Sequence, residues 1–297
     1  MDSLLSQIPH IPGFLPITRE NYDLLLTYWK WFPIIGIIQL LTPFYPTGKT
    51  SLPTSRFNIP GRLAWITMEL LSPVLLLTTS LLVSTQVSHT SLPLQNILLI
   101  AMYLIHYSNR ALIGPLLNNA MSPVHLLIWL LGIGFNFVNP VLIGGWLGGY
   151  GRVTSSTSTF FLGAGVWAVG FYGNLYHERI LRGIRTKYIK ISHKDKKEKD
   201  SIDKISDDVR IVTGRVYMIP RGGLFEYVLF PHYFCEWVEW AGFTLAAGGI
   251  DCLPALLFVT NEISTMLPRA LQGKRWYKEK FGKKLPKDRK VVIPFLL

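Results

Sequence analysis

The sequence predicts an all-α integral membrane protein of about seven transmembrane helices, with a cofactor cavity open to the cytosol. Three observations carry that expectation. Hydrophobic residues make up 49% of the 297 and charged ones only 16%, against roughly 25% charged in a soluble domain. Seven apolar runs approach the ~20 residues that a helix needs to cross the hydrocarbon core. The basic residues collect in alternate connections between those runs, which is the positive-inside pattern.

The first run, 22 to 42, follows MDSLLSQIPHIPGF. Asp2 stands where a secretory signal carries basic residues, and no small-residue cleavage site follows a short apolar core, so no cleaved signal is expected. Residues 1–60 are read as an N-terminal segment carrying this first helix, and 61–297 as the main membrane domain.

The second and third runs, 62 to 83 and 92 to 113, carry polar groups that cost about 2.5 to 3.5 kcal/mol each on insertion scales, so each needs a partner or a wet site. In GRLAWITMELLSP, Glu69 lies about two turns inside the run and seven residues after Arg62. In MYLIHYSNRALIG, the residues Tyr103, His106, Tyr107 and Arg110 share a helix face. The fourth run, 123 to 148, ends in GGWLGGYG. A dinucleotide-binding glycine turn needs a preceding strand in a βαβ unit. Here Gly144 with Gly148, and Gly145 with Gly149, have the spacing that lets helices approach closely.

In the fifth run, 159 to 181, Asn174 and Glu178 begin a stripe that Arg182 and Arg185 continue just past it, at helical spacing. The charged stretch 191 to 210, within the connection 186 to 215, reads as a solvated cytosolic loop, with contact to anionic headgroups as the lesser reading. The sixth run, 222 to 248, holds Glu226, His232, Glu236 and Glu239, and the seventh, 250 to 267, follows by a tight join.

The net charge of +12 is explained by position. Lys49, Arg56 and Arg62 lie between the first two runs, Arg110 follows the third, and the stretches 182 to 221 and 269 to 290 follow the fifth and the last. The other connections are nearly empty of Lys and Arg, which puts the C-terminus in the cytosol and the N-terminus across the membrane. Nucleic acid is not expected as a partner. Cys235 and Cys252 are the only cysteines and form no C-x-x-C, so neither a zinc site nor a disulfide framework is expected, nor any other metal.

The four polar clusters converge on one depth. A cytosol-facing cavity would join a carboxyl and a phenol deep inside to arginines near the mouth. Guanidinium forks match phosphate oxygens, and a buried neutral carboxyl can donate to a carbonyl. The layout suits a phosphorylated cytosolic cofactor meeting a lipid-soluble carbonyl substrate.

The segments GGLFEYVLFPHYFCEWVEWAGFTLA, LPRALQGKRWYKEKFGKKLPKDRKVVIPFLL, HYSNR and GRLAWITMEL resemble the steroid 5α-reductase family, the 3-oxo-5α-steroid 4-dehydrogenases, over about 61 to 297. The resemblance implies a seven-helix reductase of the endoplasmic reticulum membrane that uses NADPH to saturate the double bond of a Δ4-3-ketosteroid. It implies Glu69 and Tyr107 as the pair that holds the 3-keto oxygen, acting as hydrogen-bond donors. Arg110, Asn118, Asn174, Glu178, Arg185, Tyr217 and Tyr277 match positions in or beside the NADPH site, with Arg182 on the same stripe, and Glu236 matches a carboxylate near the nicotinamide. His232 stands where the family usually has Asn and keeps a donor for the nicotinamide amide. Leu229 replaces Ser or Thr, Cys235 replaces Gly, Glu178 replaces Asp, and Gln272 with Gly273 replaces a His pair. A monomer in contact with membrane lipids is expected. Related enoyl-CoA and polyprenol reductases would use the same cofactor pocket. A membrane methyltransferase of the isoprenylcysteine carboxyl type would bind S-adenosylmethionine instead. A channel or transporter would leave the arginine stripe without a purpose.

Overall fold

The computed structural model describes residues 11–42, 54–87, 91–119, 121–192, 209–212 and 215–297. It is mostly helical. In chain order come α1 (Arg19–Trp29), α2 (Ile34–Leu41), α3 (Gly61–Glu69), α4 (Leu71–Val87), α5 (Leu94–Tyr107), α6 (Gly114–Leu117), α7 (Leu126–Gly145), α8 (Thr157–Ser192), α9 (Pro231–Ala247) and α10 (Leu253–Phe281). Wider π turns follow α5 at Ser108–Ile113 and α7 at Trp146–Tyr150. The all-helical expectation omitted two small antiparallel pairs. β1 (Asn58–Ile59) meets β2 (Val124–His125), and β3 (Val209–Val212) meets β4 (Arg215–Met218), with Val209 opposite Met218.

Four segments among the described residues are long and apolar enough to cross a membrane: Arg19–Leu41, Gly61–Val87, Leu94–Leu117 and Leu126–Tyr150. Helices α8, α9 and α10 overlap the other three expected runs with different ends, α10 continuing to Phe281, well past 267. Leu24, Ile37, Leu63, Val74, Leu130, Phe161 and Val169 face outward, an apolar exterior suited to lipid.

Local chemistry explains the breaks. The Thr18 hydroxyl accepts from Asn21 N at the start of α1, and Pro33 precedes α2. The sixth expected span is shorter than the sequence suggests. Gly222 and Gly223 adopt left-handed backbone with φ of 95° and 54°, a 3-10 turn follows at Gly223–Glu226, and α9 begins only with Pro231 in its first turn. Glu226 therefore lies outside the helix. Its carboxylate accepts from Gly222 N at 2.7 Å and from Arg289 Nη2 at 3.1 Å. The C-terminal segment seals this turn, with Lys290 N donating to Tyr227 O and Phe230 N to Val291 O. At the other end of α9, Gly248 and Gly249 supply positive φ for the tight reversal into α10.

The fifth helix is longer than expected. α8 runs to Ser192, since Ile180, Ile184, Tyr188 and Ile191 keep helical spacing beyond 181. Thus the connection 186 to 215 begins in helix and ends in the hairpin, while 193–208 and 213–214 lie outside the described residues.

Glycines set the closest helix contacts. A methyl at Gly144 would meet Leu76 O at 2.8 Å, and one at Gly148 would meet Ser80 O at 2.8 Å, so α7 rests against α4 as the spacing predicts. Gly145 faces the Tyr22 ring. A second stripe was not anticipated. Gly163 and Gly170 on α8, seven residues apart, touch the α9 backbone at Ala246 and Glu239, and Gly242 returns the contact against Trp167. This contact fixes α9, and with it Glu236, against α8. Gly170→Leu is expected to lower the thermal midpoint in detergent by several degrees, since overpacking costs about 1 to 3 kcal/mol. Gly165→Ala, at a site with nothing within 4 Å, should leave it unchanged.

Two apolar clusters result. One gathers Tyr103, Tyr107, Trp240, Phe243 and Phe258, and the other Phe230, Trp237, Trp276, Tyr277 and Phe281.

Candidate active site

Helix α5 and the π turn after it distribute polar groups to four neighbouring helices. The Tyr103 hydroxyl shares a hydrogen with Ser72 Oγ of α4 at 2.6 Å. His106 Nδ1 lies 2.7 Å from Glu239 Oε1 of α9. The Tyr107 hydroxyl donates to Asn136 Oδ1 of α7 over 3.4 Å. Arg110, carried on the π turn, donates from Nε to Glu69 Oε2 at 3.2 Å and from Nη1 to Glu236 Oε1 at 2.9 Å. A π turn offsets the residues after it from regular helical spacing, a device found often at functional sites.

Arg110 is the hub. Its guanidinium lies over the Trp65 ring at 5.4 Å, and Trp65 Nε1 donates to its backbone carbonyl. The side chains of Glu69 and Glu236 are only 4% and 3% exposed, and among the described residues Arg110 is the cation paired with both. Asn174 of α8 completes the frame, donating from Nδ2 to Glu236 Oε2 at 3.2 Å and to the His232 carbonyl at 3.0 Å. Arg62 does not pair with Glu69. It donates to the carbonyls of Pro115 and Asn118, at 3.2 and 2.7 Å, and so anchors α6 where that helix meets the site.

A cavity of about 160 Å³ opens beside Arg110. Trp65, His106, Asn109 and Arg110 form one side, Asn118 follows from the end of α6, and Asn174 with Glu178 comes from α8. Of the residues singled out in the sequence, His106, Arg110, Asn118, Asn174 and Glu178 meet here. Glu69 and Glu236 stand one hydrogen bond behind the wall. Arg182 pairs with Glu178 at 3.4 Å, and the Arg185 side chain lies outside the described residues. Tyr217 and Tyr277 do not line the cavity. Both pack on Trp276 in the second apolar cluster, at 4.7 and 5.4 Å between ring centroids. His232 packs its ring among Phe225, Phe230 and Tyr233. Tyr107 is buried and stacked on Tyr103 at 4.6 Å, with Glu69 and Glu262 in electrostatic reach.

Sequence reasoning missed several members. Trp65 stands one helical turn before Glu69, and Asn109 immediately before Arg110, so both were within reach of the same spacing rules. Asn136 and Glu262, polar residues in the helical segments GFNFVNP and NEISTML, carried the same signal as Glu69.

The donor set suits a polar, amide-bearing and hydroxyl-bearing ligand. Three asparagines and one carboxylate face the cavity. Arg110, already shared by two carboxylates, has little charge to spare for an anionic ligand.

A model of the family described as 3-oxo-5-alpha-steroid 4-dehydrogenase matches residues 200–297. The chain is similar to an uncharacterized protein of Schizosaccharomyces pombe, 36% identical over 272 residues, which is 85% of this chain and 91% of that protein. It is 33% identical over 278 residues to 3-oxo-5-alpha-steroid 4-dehydrogenase 1 of Rattus norvegicus, covering 93% of this chain and 95% of the relative. It is 31% identical over 271 residues to the steroid 5-alpha-reductase DET2 of Solanum lycopersicum, covering 89% and 92%.

Proposed function

Because the chain belongs to the 3-oxo-5-alpha-steroid 4-dehydrogenase family, we propose that it is a membrane reductase that saturates the C4–C5 double bond of a Δ4-3-ketosteroid with NADPH. The observation that carries this reading is the buried Glu69–Arg110–Glu236 bridge beside a cavity walled by Asn118, Asn174 and Glu178. NADPH, when bound, supplies the hydride.

The rest of the work falls to side chains. Asn118, Asn174 and Glu178 offer amide donors and a carboxylate acceptor to the cofactor's amide and hydroxyl groups, while Arg182 and Arg185 supply charge for phosphates, including the 2′-phosphate. Tyr217 and Tyr277 support this region through Trp276, and the His232 carbonyl orients Asn174. During reduction, negative charge gathers on the substrate's carbonyl oxygen, and preorganised donors stabilise it. The Tyr107 hydroxyl donates to Asn136 over a long 3.4 Å bond, so exchanging that partner for a carbonyl costs little. Glu69, held at Oε2 by Arg110, is the second member of the pair at that oxygen.

Helices α8, α9 and α10 join the four apolar segments as a seven-helix monomer in the endoplasmic reticulum membrane. The basic C-terminal face, with Arg269 to Lys290, lies in the cytosol, where NADPH is found. Steady-state KM values for NADPH and NADH test the cofactor assignment. NADPH is expected to have the lower KM, and Arg185→Ala to raise it with little change in kcat, as loss of uniform binding does. Equal KM values for the two nucleotides would contradict the assignment.

A further inference from the structure

His106 is a buried titratable group on the cavity wall to which the chemistry above gives no task. Its ring is fixed on several sides. Nδ1 is committed to Glu239 Oε1 at 2.7 Å, while Trp240 and Tyr107 pack edge-on at 4.7 and 5.1 Å between centroids. Among the described residues Nε2 has no hydrogen-bond partner. The nearest charged oxygen, Glu236 Oε1, is 3.9 Å away and already accepts from Arg110. A side chain 4% exposed and held this firmly, with one ring nitrogen unsatisfied, is a binding group in want of a ligand.

The surroundings select the ligand's chemistry. Arg110 shares the cavity wall, and Glu239 and Glu236 face the ring from α9; in the neutral tautomer whose Nδ1–H donates to Glu239 Oε1, Nε2 is an acceptor. A lone pair there repels phosphate and carboxylate oxygens. It welcomes an N–H, while the Asn174 amide on the same wall offers a donor to a neighbouring carbonyl. A primary carboxamide presents both groups from one carbon.

We propose that His106, positioned by Glu239, accepts a hydrogen bond at Nε2 from the carboxamide of the nicotinamide ring. This rests on the NADPH reading and refines it. The family resemblance places His232 at the same amide as a donor, whereas its ring packs among aromatic side chains and does not line the cavity.

The test is equilibrium binding of NADP⁺ and of its 3-acetylpyridine analogue, in which a methyl ketone replaces the amide, to purified protein in detergent micelles by tryptophan fluorescence. One lost hydrogen bond corresponds to about tenfold in affinity. The wild-type protein is expected to bind NADP⁺ about tenfold more tightly than the analogue. His106→Phe, which keeps a ring but no acceptor, should bind both nucleotides equally and NADP⁺ about tenfold more weakly. Equal wild-type affinities, or a His106→Phe protein that still prefers NADP⁺, would overturn the His106 assignment and leave the NADPH reading standing. Should His106→Phe fail to fold, the same comparison is made on His106→Leu, which also lacks an acceptor. Wild-type protein that binds neither nucleotide would overturn both.

Discussion

Arg110→Ala is expected to lose about 3 to 5 kcal/mol of stability, the cost of removing one partner from a buried ion pair, and with it all reductase activity. The reason is arithmetic of charge. Glu69 and Glu236, each nearly fully buried, share this single guanidinium, so its loss strands two carboxylates at once. Arg110→Lys keeps the charge but offers a point cation where two directed forks are needed, and it should fall between wild type and Ala. Arg110→Ala combined with Glu236→Gln should recover part of the loss, because one stranded charge is removed with its partner. Thermal unfolding in detergent measures all three. An Arg110→Ala protein that melts with wild type would mean that the bridge contributes nothing.

The second large effect concerns the carbonyl-binding pair. Tyr107→Phe removes a donor to the oxygen on which charge develops, and Glu69→Ala removes its proposed partner there; each should lower kcat by about 10² or more. NADP⁺ affinity should barely change in Tyr107→Phe, since Tyr107 belongs to the apolar cluster and not to the cavity wall. Glu69→Gln supplies an amide donor of similar shape and should retain measurable turnover. A purely structural role for Glu69 makes a different prediction, namely lost thermal stability with kcat preserved in the folded fraction. Wild-type turnover by a well-folded Glu69→Ala protein would exclude Glu69 from catalysis.

What could be read in the sequence was what depends on short spacing. The Gly144 and Gly148 contact was legible because both glycines lie on one helix, and the contact needs nothing but their separation. The stripe Asn174, Glu178, Arg182 was legible for the same reason. Partnerships across the chain were not. Arg62 stands only seven residues before Glu69, whereas the actual partner of Glu69, Arg110, is 41 residues away and is brought in by the packing of α3 against the π turn. The start of α9 was misjudged because apolar content alone cannot tell a packed turn from a membrane helix. Gly222, Gly223 and Pro231 were the signal, through the backbone that each demands. His106 was visible as a polar residue in an apolar run. Its partner Glu239 is 133 residues distant, and only the fold joins them.

The claim that this cavity serves steroid reduction is tested most directly by the acceptor itself. Purified protein should be supplied with NADPH and, in parallel, with a Δ4-3-ketosteroid, an enoyl-CoA or a polyprenol, and nucleotide oxidation followed together with product mass. The expected result is NADPH oxidation matched mole for mole by a 4,5-dihydro-3-ketosteroid, with the other two acceptors left unchanged. Reduction of the enoyl-CoA or the polyprenol while the steroid is untouched would contradict it.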